Sequence, residues 1–577
     1  MTNPLLAPQI KSKLDTSSKT FAKNKSEMLR KLEKIEELLD YVELGGGMHH
    51  HERLAARGKM AVRDRIANFI DPDTPFLEIS ALAAYDSAYP VGGGAVAGIG
   101  IVAGTECIIF ANDPTVLAGA MHAYSGKKWT RAMEIARDNR LPYIQFVESA
   151  GGDLRMGGKG RRGNAAPMGG GHFAESGRTF YEITELSKLR IPTISIVFGS
   201  STAGGAYQPG MSDYNIFIKK QSKVFLGGPP LVKMATGEES DDETLGGAKM
   251  HAETSGLADY LAEDEMDAIR MGREVVSHLN WRKRGNKPSI LVEEPINDCE
   301  DLLGLVDPDL KRPFDIREVI TRITDGSRFE EFKPLFGPNI VCGFASIHGY
   351  QTGLIGNNGG IIYPDSAQKG AHFVQLCNQI DIPILFLQNV TGFIVGKDYE
   401  RDGQIKKGAQ FLNSVSNSNV PHITVIVGAS IGAGTYAMSG RAYNNRFTFL
   451  WPSAKIAVMG PKQLAGVMSI VRRGQAARKG EVFNEKEDAE IVAMAEAMQE
   501  EGSLALRATG AISDDGIIDP RDTRMVLGIC LSVVNGKEVE GASLSTSTYT
   551  TTQFIPISRA LLMIRQAISH RFAMSNL

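Results

Sequence analysis

Two turns rich in glycine and alanine are the segments of this chain best suited to chemistry. The first, Ala203-Gly-Gly-Ala206, follows an apolar run from Ile191 to Phe198, and the second, around Ala433 and Gly434, follows a similar run that begins at Val420. Because Gly and Ala place little in front of the backbone, such turns can present adjacent N–H groups to a negatively charged oxygen. Two turns indicate two oxyanions.

These turns belong to an internal repeat that nearly keeps its register. Three matched pairs are separated by 229, 230 and 232 residues: Gly199 with Gly428, Ala203 with Ala433, and Gly228 with Gly460. Matched apolar strands, glycine turns and helices around these pairs predict an α/β protein with two similar halves. Charged residues and prolines at 281–312 predict an exposed join between the halves.

Length, composition and charge exclude several classes of protein. The 577 residues are 42% hydrophobic, which suits two domains better than one core. The apolar runs have the length of buried strands, well short of the roughly 20 residues that a membrane helix needs. The net charge of −3 argues against a general binder of nucleic acid.

The cysteines and histidines predict no metal site. The five cysteines are scattered without metal-ligand spacing or a disulfide pattern, and His49-His50-His51 lacks completing ligands, so a solvated loop is expected there. Residues 1–25 have neither the apolar core of a signal peptide nor the arginines of a transit peptide. A reducing cytoplasm is the expected location.

The first half carries extra residues in one place. Twelve more residues separate Pro142 from Gly199 than separate Pro383 from Gly428, and they fall in the glycine-rich, basic segment 151–171. Long loops at strand ends commonly act as lids or binding loops. A disordered surface insertion is the alternative interpretation.

Several motifs resemble the carboxyltransferase β subunit of biotin-dependent acyl-CoA carboxylases. The resemblance extends from about residue 20 to residue 540 and includes Ala56-Arg-Gly-Lys-Met60, Thr202-Ala-Gly-Gly-Ala-Tyr207, Phe225-Leu-Gly-Gly-Pro-Pro-Leu-Val-Lys233, Phe386-Leu-Gln-Asn-Val-Thr-Gly-Phe-Ile-Val-Gly396 and Asp515-Gly-Ile-Ile-Asp-Pro520. Within the family, the chain is most similar to the methylcrotonyl-CoA and geranyl-CoA carboxylase branch. The order and spacing of the motifs carry more weight than any single motif.

The resemblance implies two tandem crotonase-like domains, each a ββα superhelix of the α/β class. The expected divisions are a helical extension at 1–60, an acyl-CoA domain at 61–290, a biotin domain at 291–542, and a linker with a C-terminal helix at 543–577. It also implies a homo-oligomer, often a hexamer, whose active sites form between the N-terminal half of one subunit and the C-terminal half of another.

The family pattern also assigns roles to individual residues. Backbone N–H groups of Ala203 and Gly204 would stabilise charge on the thioester oxygen, and those of Ala433 and Gly434 would stabilise charge on the ureido oxygen of biotin. Further contacts to the acyl-CoA are expected from Gly151, Gly152, Ser176, Gly205, Gly227 and Gly228. Thr391, Gly392 and Phe393 are expected to line the biotin pocket, with Phe393 as a core residue in the alternative interpretation. Gly227 and Gly228 could instead simply turn a strand into a helix.

Biotin is expected to arrive on a partner subunit. The chain has no Ala-Met-Lys-Met biotinylation site and no ATP-grasp region; Gly247-Ala-Lys-Met250 is interpreted as unrelated. The expected partner is therefore a biotin carboxylase/biotin carboxyl carrier subunit, and the substrate a coenzyme A thioester, with no nucleic acid or membrane partner. The nitrogen of decarboxylated biotin would be the base, which accounts for turns without a Ser/His/Asp set.

One departure from the branch concerns the acyl group. In His172-Phe-Ala-Glu-Ser-Gly-Arg178, Ser176 occupies the position of a phenylalanine in methylcrotonyl-type subunits. A smaller side chain predicts a pocket for methylcrotonyl-CoA or a larger acyl group.

Three other functions fit parts of the sequence. A biotin-dependent acyl-CoA decarboxylase subunit would use the same fold in reverse. A crotonase-type hydratase or isomerase is disfavoured because no catalytic carboxylates stand at the turns, and a non-catalytic assembly subunit is disfavoured because both turns are intact.

Overall fold

The computed structural model describes residues 6–153, 177–288, 291–310 and 312–542. In these ranges the chain forms two eight-stranded sheets and a two-stranded ladder. The strands, in chain order, are β1 (Leu77–Glu78), β2 (Ala95–Val102), β3 (Thr105–Asn112), β4 (Tyr143–Ser149), β5 (Thr193–Thr202), β6 (Tyr214–Ile218), β7 (Lys223–Phe225), β8 (Tyr260–Ala262), β9 (Glu330–Phe332), β10 (Ile340–Ile347), β11 (Tyr350–Asn357), β12 (Ile361–Ile362), β13 (Ile384–Val390), β14 (Gly392–Phe393), β15 (His422–Ile431), β16 (Phe447–Leu450), β17 (Lys455–Ala457) and β18 (Gly516–Ile517).

Helices surround the sheets. In chain order they are α1 (Lys19–Glu43), α2 (Met48–Ala55), α3 (Val62–Phe69), α4 (Ala123–Asn139), α5 (Arg178–Lys188), α6 (Tyr207–Gly210), α7 (Pro229–Thr236), α8 (Asp242–Gly246), α9 (Ala248–Met250), α10 (Glu265–His278), α11 (Leu302–Leu305), α12 (Arg317–Ile323), α13 (Pro364–Gln379), α14 (Lys397–Arg401), α15 (Gln404–Ser416), α16 (Gly434–Ala437), α17 (Pro461–Lys479), α18 (Glu485–Gly502), α19 (Ala505–Gly510) and α20 (Thr523–Val534).

The two large sheets have the same topology. The first runs β1-β2-β3-β4-β5-β6-β8 with β7 on β5, and the second runs β9-β10-β11-β13-β15-β16-β18 with β17 on β15. The first three strands of each sheet pair antiparallel, and the remaining neighbours pair parallel. The central strands are continuous apolar runs, as is usual for strands buried on both faces. The predicted α/β repeat is confirmed.

The repeat includes a matching irregularity in each sheet. The register of β4 against β5 shifts between Val147 and Ser149, and that of β13 against β15 shifts between Gln388 and Val390. Across each shift a single residue of the first strand, Glu148 or Asn389, stands opposite three residues of the second, 198–200 or 427–429. Both stand just before the end of the strand, where bulges redirect the chain that follows.

The N-terminal extension contacts both halves. Its first described residues lie on the second half, where Ile10 N donates to Ser327 O at 2.9 Å and Ser12 Oγ donates to Glu318 Oε2 at 2.6 Å. The histidine triplet, expected in a loop, lies in α2, so that expectation is wrong. The extension ends at α3, beside the first sheet.

The halves meet in a shared hydrophobic cluster. A single cluster of buried side chains contains residues of both sheets together with α1, α4 and α20, and includes Phe110, Trp129, Val425, Trp451 and Leu527. The join expected to be exposed is fixed in part by Gly285 N, which donates to Asn535 O at 2.9 Å. The two turns are therefore carried on one continuous scaffold.

Candidate active site

The first turn forms where β5 ends. Ala203–Ala206 make one turn of 3-10 helix that leads directly into α6. Ala203 has a left-handed φ of 53°, which residues with a Cβ seldom adopt. The N–H groups that begin a helical turn have no acceptor inside it. Ala203 and Gly204 are exposed while Gly205 is buried, so the first two residues face the open side.

The space around the first turn explains its composition. Among the described residues, a Cβ on Gly204 would meet only Phe180 Cζ, at 3.5 Å, whereas a Cβ on Gly205 would stand 2.9 Å from Ser201 Oγ. Gly205 is therefore required for packing beneath the turn. Gly204 is the glycine beside the open face, where a substrate oxygen could approach.

The second turn forms where β15 ends. Gly432 N donates to Ala457 O at 3.0 Å, so that amide is occupied. Ala433 is the N-cap of α16 and Gly434 its first residue, and the first amides of a helix lack intrahelical acceptors. A Cβ on Gly434 would lie 2.6 Å from Val390 Cγ2. Only glycine fits this position without a shift of β13.

The structure moves the alignment of the two turns by one residue. β5 ends at Thr202 and β15 at Ile431, so Ala203 corresponds to Gly432, and both have left-handed φ values, 53° and 65°. Ala433 and Gly434 thus correspond to Gly204 and Gly205. The pairing of Ala203 with Ala433 read from the sequence is wrong by one residue, because Ala and Gly at these positions cannot reveal which one has positive φ.

A glycine from the neighbouring strand end lies against each turn. Gly151 has φ of 89° and follows β4; a Cβ there would be 3.2 Å from Thr202 O and 3.7 Å from Ala203 Cβ. Gly392, with φ of 142°, follows β13 and stands 3.4 Å from a Cβ on Gly434. The structure therefore brings Gly151 to the first turn and Gly392 to the second.

The other predicted site residues lie at varied distances from the turns. Gly152 bridges to Met121 in a short parallel pairing, next to Gly151. Gly227 and Gly228 form the connection from β7 to α7, which is the turn that the alternative interpretation expected. Ser176 and most of the 151–171 segment lie outside the described residues, as does the predicted C-terminal helix.

Two residues predicted to line the biotin pocket make contacts within the protein, although Thr391 is exposed. Thr391 Oγ1 donates to Gly360 O at 3.1 Å. The ring of Phe393 is half-buried and packs against a core cluster, with Cε1 3.1 Å from a Cβ placed on Gly408. Their contact with biotin remains a prediction. The surroundings of Phe393 also agree with the alternative interpretation, in which it is a core residue.

Charged residues behind the first turn were missed by the sequence analysis as site residues. Lys59 and Arg65 both donate to the carboxylate of Glu148, the residue at the register shift of β4. Burial lowers the pKa of Lys59, and the adjacent carboxylate of Glu148 partly offsets that effect. Of these residues, the sequence singled out only Lys59, as part of the motif Ala56-Arg-Gly-Lys-Met60. The motif did not indicate that Lys59 pairs with Glu148.

The fold and the turns together define a class of protein, two crotonase-like units that each carry a Gly/Ala turn at one end of the sheet. A model of the carboxyl transferase domain family matches residues 53–544. The chain therefore belongs to the carboxyl transferase family.

Individual relatives cover nearly the whole chain. A "Probable biotin-dependent acyl-coenzyme A carboxylase beta2 subunit" from Mycobacterium tuberculosis is 52% identical over 534 residues, covering 92% of this chain and 98% of the relative. A "Probable methylcrotonoyl-CoA carboxylase beta chain, mitochondrial" from Drosophila melanogaster is 45% identical over 540 residues, covering 90% and 92%. The crystal structure of the geranyl-CoA carboxylase beta subunit of P. aeruginosa has a TM-score of 0.83 and 39% identity, covering 95% of this chain and 100% of that chain.

These findings confirm the predicted family and the crotonase-like fold. The chain is a carboxyltransferase component of the biotin-dependent acyl-CoA carboxylase type, in the methylcrotonyl-CoA and geranyl-CoA branch. They favour this function over a decarboxylase subunit and over a non-catalytic assembly subunit. No helix in the described ranges has both the length and the apolar composition needed to cross a bilayer.

Proposed function

We propose that this chain moves a carboxyl group from carboxybiotin, carried by a partner subunit, to a branched unsaturated acyl-CoA. The observation that carries the proposal is the pair of turns, each of which follows a long parallel strand. The first amides of each helical turn have no acceptor within that turn. Carboxyl transfer develops charge on two oxygens, one on the thioester and one on the ureido group. One preorganised turn is available for each.

The first turn is proposed to bind the thioester oxygen. The amides of Ala203 and Gly204 would donate to the oxygen as negative charge develops on it, and each such donor contributes roughly 3 kcal/mol where water is excluded. Gly151 lies against Ala203 and leaves the backbone close to the acyl group. Gly152, Gly205, Gly227 and Gly228 remain proposed substrate contacts.

The second turn is proposed to bind the ureido oxygen of biotin through the amides of Ala433 and Gly434. A Cβ on Gly392 would meet no atom of the described residues within 4 Å, so these residues leave space beside the turn for a planar ring. Bound carboxybiotin supplies the carboxyl group, and its ureido nitrogen supplies the base. The chain's own residues hold the oxygen and exclude water, which suits turns that carry no titratable side chain.

The proposed acyl group follows from the relatives and from Ser176. Relatives named for methylcrotonoyl-CoA and geranyl-CoA share 45% and 39% identity with the chain. A serine in place of phenylalanine would enlarge the pocket by most of an aromatic ring, and buried apolar groups of that kind discriminate substrates by roughly 1 to 3 kcal/mol. We therefore propose an acyl group of methylcrotonyl size or larger.

The assembly is proposed to contain several copies, six in the simplest form, with each site shared between two of them. Exposed apolar side chains support this: α17 and α18 expose Val467, Ile470, Val471, Met494 and Met498, and α7 exposes Leu231 and Met234. Apolar groups gathered on the surface usually mark interfaces. Contact between α17/α18 of one copy and α7 of another would bring a second turn beside a first turn.

The proposed partner is a biotin carboxylase/biotin carboxyl carrier subunit in the cytoplasm. A reducing compartment is supported by the cysteines, which are all free thiols. Cell fractionation would test the location, and a membrane-bound or organellar fraction would contradict it.

The decisive experiment reconstitutes the chain with its biotinylated partner and measures fixation of labelled bicarbonate onto propionyl-, methylcrotonyl- and geranyl-CoA. We expect ATP-dependent labelling of branched unsaturated substrates. Ser176→Phe should reduce kcat/KM for geranyl-CoA by about tenfold and leave methylcrotonyl-CoA nearly unchanged. Sodium-dependent release of CO2 without fixation would contradict the proposal, and equal losses on every substrate would contradict the pocket assignment.

A further inference from the structure

A buried group of four charges lies behind the first turn. Arg65 Nη1 donates to Glu148 Oε2 at 2.9 Å, and its Nε and Nη2 donate to Glu265 at 3.1 and 2.8 Å, while Lys59 Nζ donates to the other oxygen of Glu148. The side chain of Arg65 is 1% exposed and that of Glu265 is 4% exposed. Two cations and two carboxylates therefore balance one another almost out of contact with water. We call Lys59, Arg65, Glu148 and Glu265 the charge network.

The charge network touches both strands that lead to the first turn. Glu148 is the residue at the register shift of β4, three residues before Gly151, and its side chain crosses β5 at Gly199. A Cβ on Gly199 would stand 2.5 Å from Glu148 Cδ, so only glycine leaves room for this crossing. The guanidinium of Arg65 lies 4.4 Å from the ring centre of Phe198, the preceding residue of β5.

The second half fixes its register shift in a different way. Asn389, the counterpart of Glu148, accepts from Ala429 N at 3.0 Å through Oδ1 and donates from its own N to Asn357 Oδ1 at 3.0 Å. These partners are neutral and belong to the same sheet. The first half instead depends on side chains from segment 59–65 and from α10.

We infer that Lys59 and Arg65 are positioning residues for the first turn, acting through Glu148, and that the second turn is independent of them. The kinetic consequence of this inference rests on the proposed function, which assigns the first turn to the acyl-CoA. Displacement of the end of β4 would move Gly151 relative to Ala203. A misplacement of about 1 Å at a reacting group can reduce the rate by about 100-fold.

Charge balance predicts which variants damage the network. Lys59→Met leaves one carboxylate without its cation, and Glu148→Gln leaves one cation without its carboxylate; an uncompensated buried charge is strongly destabilising. The double variant Lys59→Met/Glu148→Gln retains a neutral Arg65–Glu265 pair. It should therefore have a higher melting temperature than either single variant, and it provides a folded protein if a single variant fails to fold.

The first measurement is hydrogen exchange of the full chain without substrate. Lys59→Met should accelerate exchange at least severalfold in peptides covering 143–153 and 193–207, and leave 384–393 and 422–437 unchanged. Lys59→Arg should retain the wild-type pattern, because it keeps the cation. Lys219→Met is the matched control, since Lys219 pairs with Glu263 on the exposed surface of the same half.

The second measurement is kinetic and uses the reconstituted complex. Lys59→Met should lower kcat/KM for the acyl-CoA by about 10- to 100-fold and leave KM for free biotin unchanged. Equal exchange in both halves, or the same response from Lys219→Met, would overturn the inference. An inactive wild-type complex would contradict the proposed function alone, because the exchange experiment needs no turnover.

Discussion

Arg131 and Asp515 form an ion pair that joins the two halves of the protein. Arg131, on α4, donates from Nε to Asp515 Oδ1 at 2.7 Å and from Nη2 to Oδ2 at 3.0 Å. Arg441 and the amide of Thr448 donate to the same carboxylate. Burial alone would raise the pKa of Asp515, but the charges of Arg131 and Arg441 outweigh it and hold that pKa below its usual value.

Loss of Arg131 should destabilise the whole chain. Arg131→Met leaves the fully buried Asp515 with Arg441 as its nearest cation, and breaking a buried pair from one side typically lowers the free energy of unfolding by about 3 to 5 kcal/mol. Denaturant unfolding followed by circular dichroism would measure this loss. Arg270→Met is the control, because Arg270 makes its ion pairs on the exposed face of α10. A loss no larger than that of the control would contradict the role assigned to the pair.

The neighbouring Asp514 should make stability depend on pH. Burial raises its pKa from 3.8 to about 7, with the Asp515 charge adding to the rise and the Thr509 hydroxyl and Arg441 partly offsetting it. Between these values the folded chain holds a proton that the unfolded chain has lost. This contribution to stability is full below about pH 4, falls by roughly 1.4 kcal/mol per unit as the pH rises, and levels off above about pH 7.

Asp514→Asn tests this dependence because the amide has the same shape and does not titrate. The variant should be more stable than wild type at pH 8, and the difference should shrink as the pH falls to 5. Unfolding free energies at each unit between those limits would show it. Parallel curves for the two proteins would contradict the raised pKa.

The sequence predicted the strands and turns well because burial on both faces leaves a clear signal. The apolar run from Ile191 to Phe198 lies largely in β5, and the run from Val420 leads into β15. Helix α4, by contrast, begins at Ala123 because the side chain of His122 acts as its N-cap. End positions depend on capping contacts that a pattern of apolar residues does not encode.

The details of the site could not be predicted from residue types. Ala203 corresponds to Gly432 because both have a left-handed φ. The residue types do not show this, since Ala and Gly occur at the neighbouring positions of both turns. The charge network joins Lys59 to Glu148 and Arg65 to Glu265, pairs separated by 89 and 200 residues. Any of the chain's many charged residues could have been their partners until the fold placed them together.

The last prediction concerns the second turn, where the structure selects the variant to use. Ala433 has φ of −66°, the value that proline requires, so Ala433→Pro removes one N–H group with little change of the backbone. Loss of one oxyanion donor should lower kcat by about 10²- to 10³-fold. Steady-state carboxylation by the reconstituted complex would measure the loss. Ala433→Ser keeps the amide and should retain most of the activity.

Proline at Ala203, the proposed donor of the first turn, is not a usable test, whereas Gly204, the residue that corresponds to Ala433, provides a control. Ala203 has φ of 53°, which proline cannot adopt, so Ala203→Pro should disrupt the turn itself. Gly204→Ala is the better variant there, because it keeps the amide and its Cβ would meet, of the described residues, only Phe180, at 3.5 Å. A folded Ala433→Pro enzyme with wild-type turnover would contradict the proposed biotin site. If Gly204→Ala lost as much activity as Ala433→Pro, the loss could not be assigned to a missing donor, because Gly204→Ala removes none.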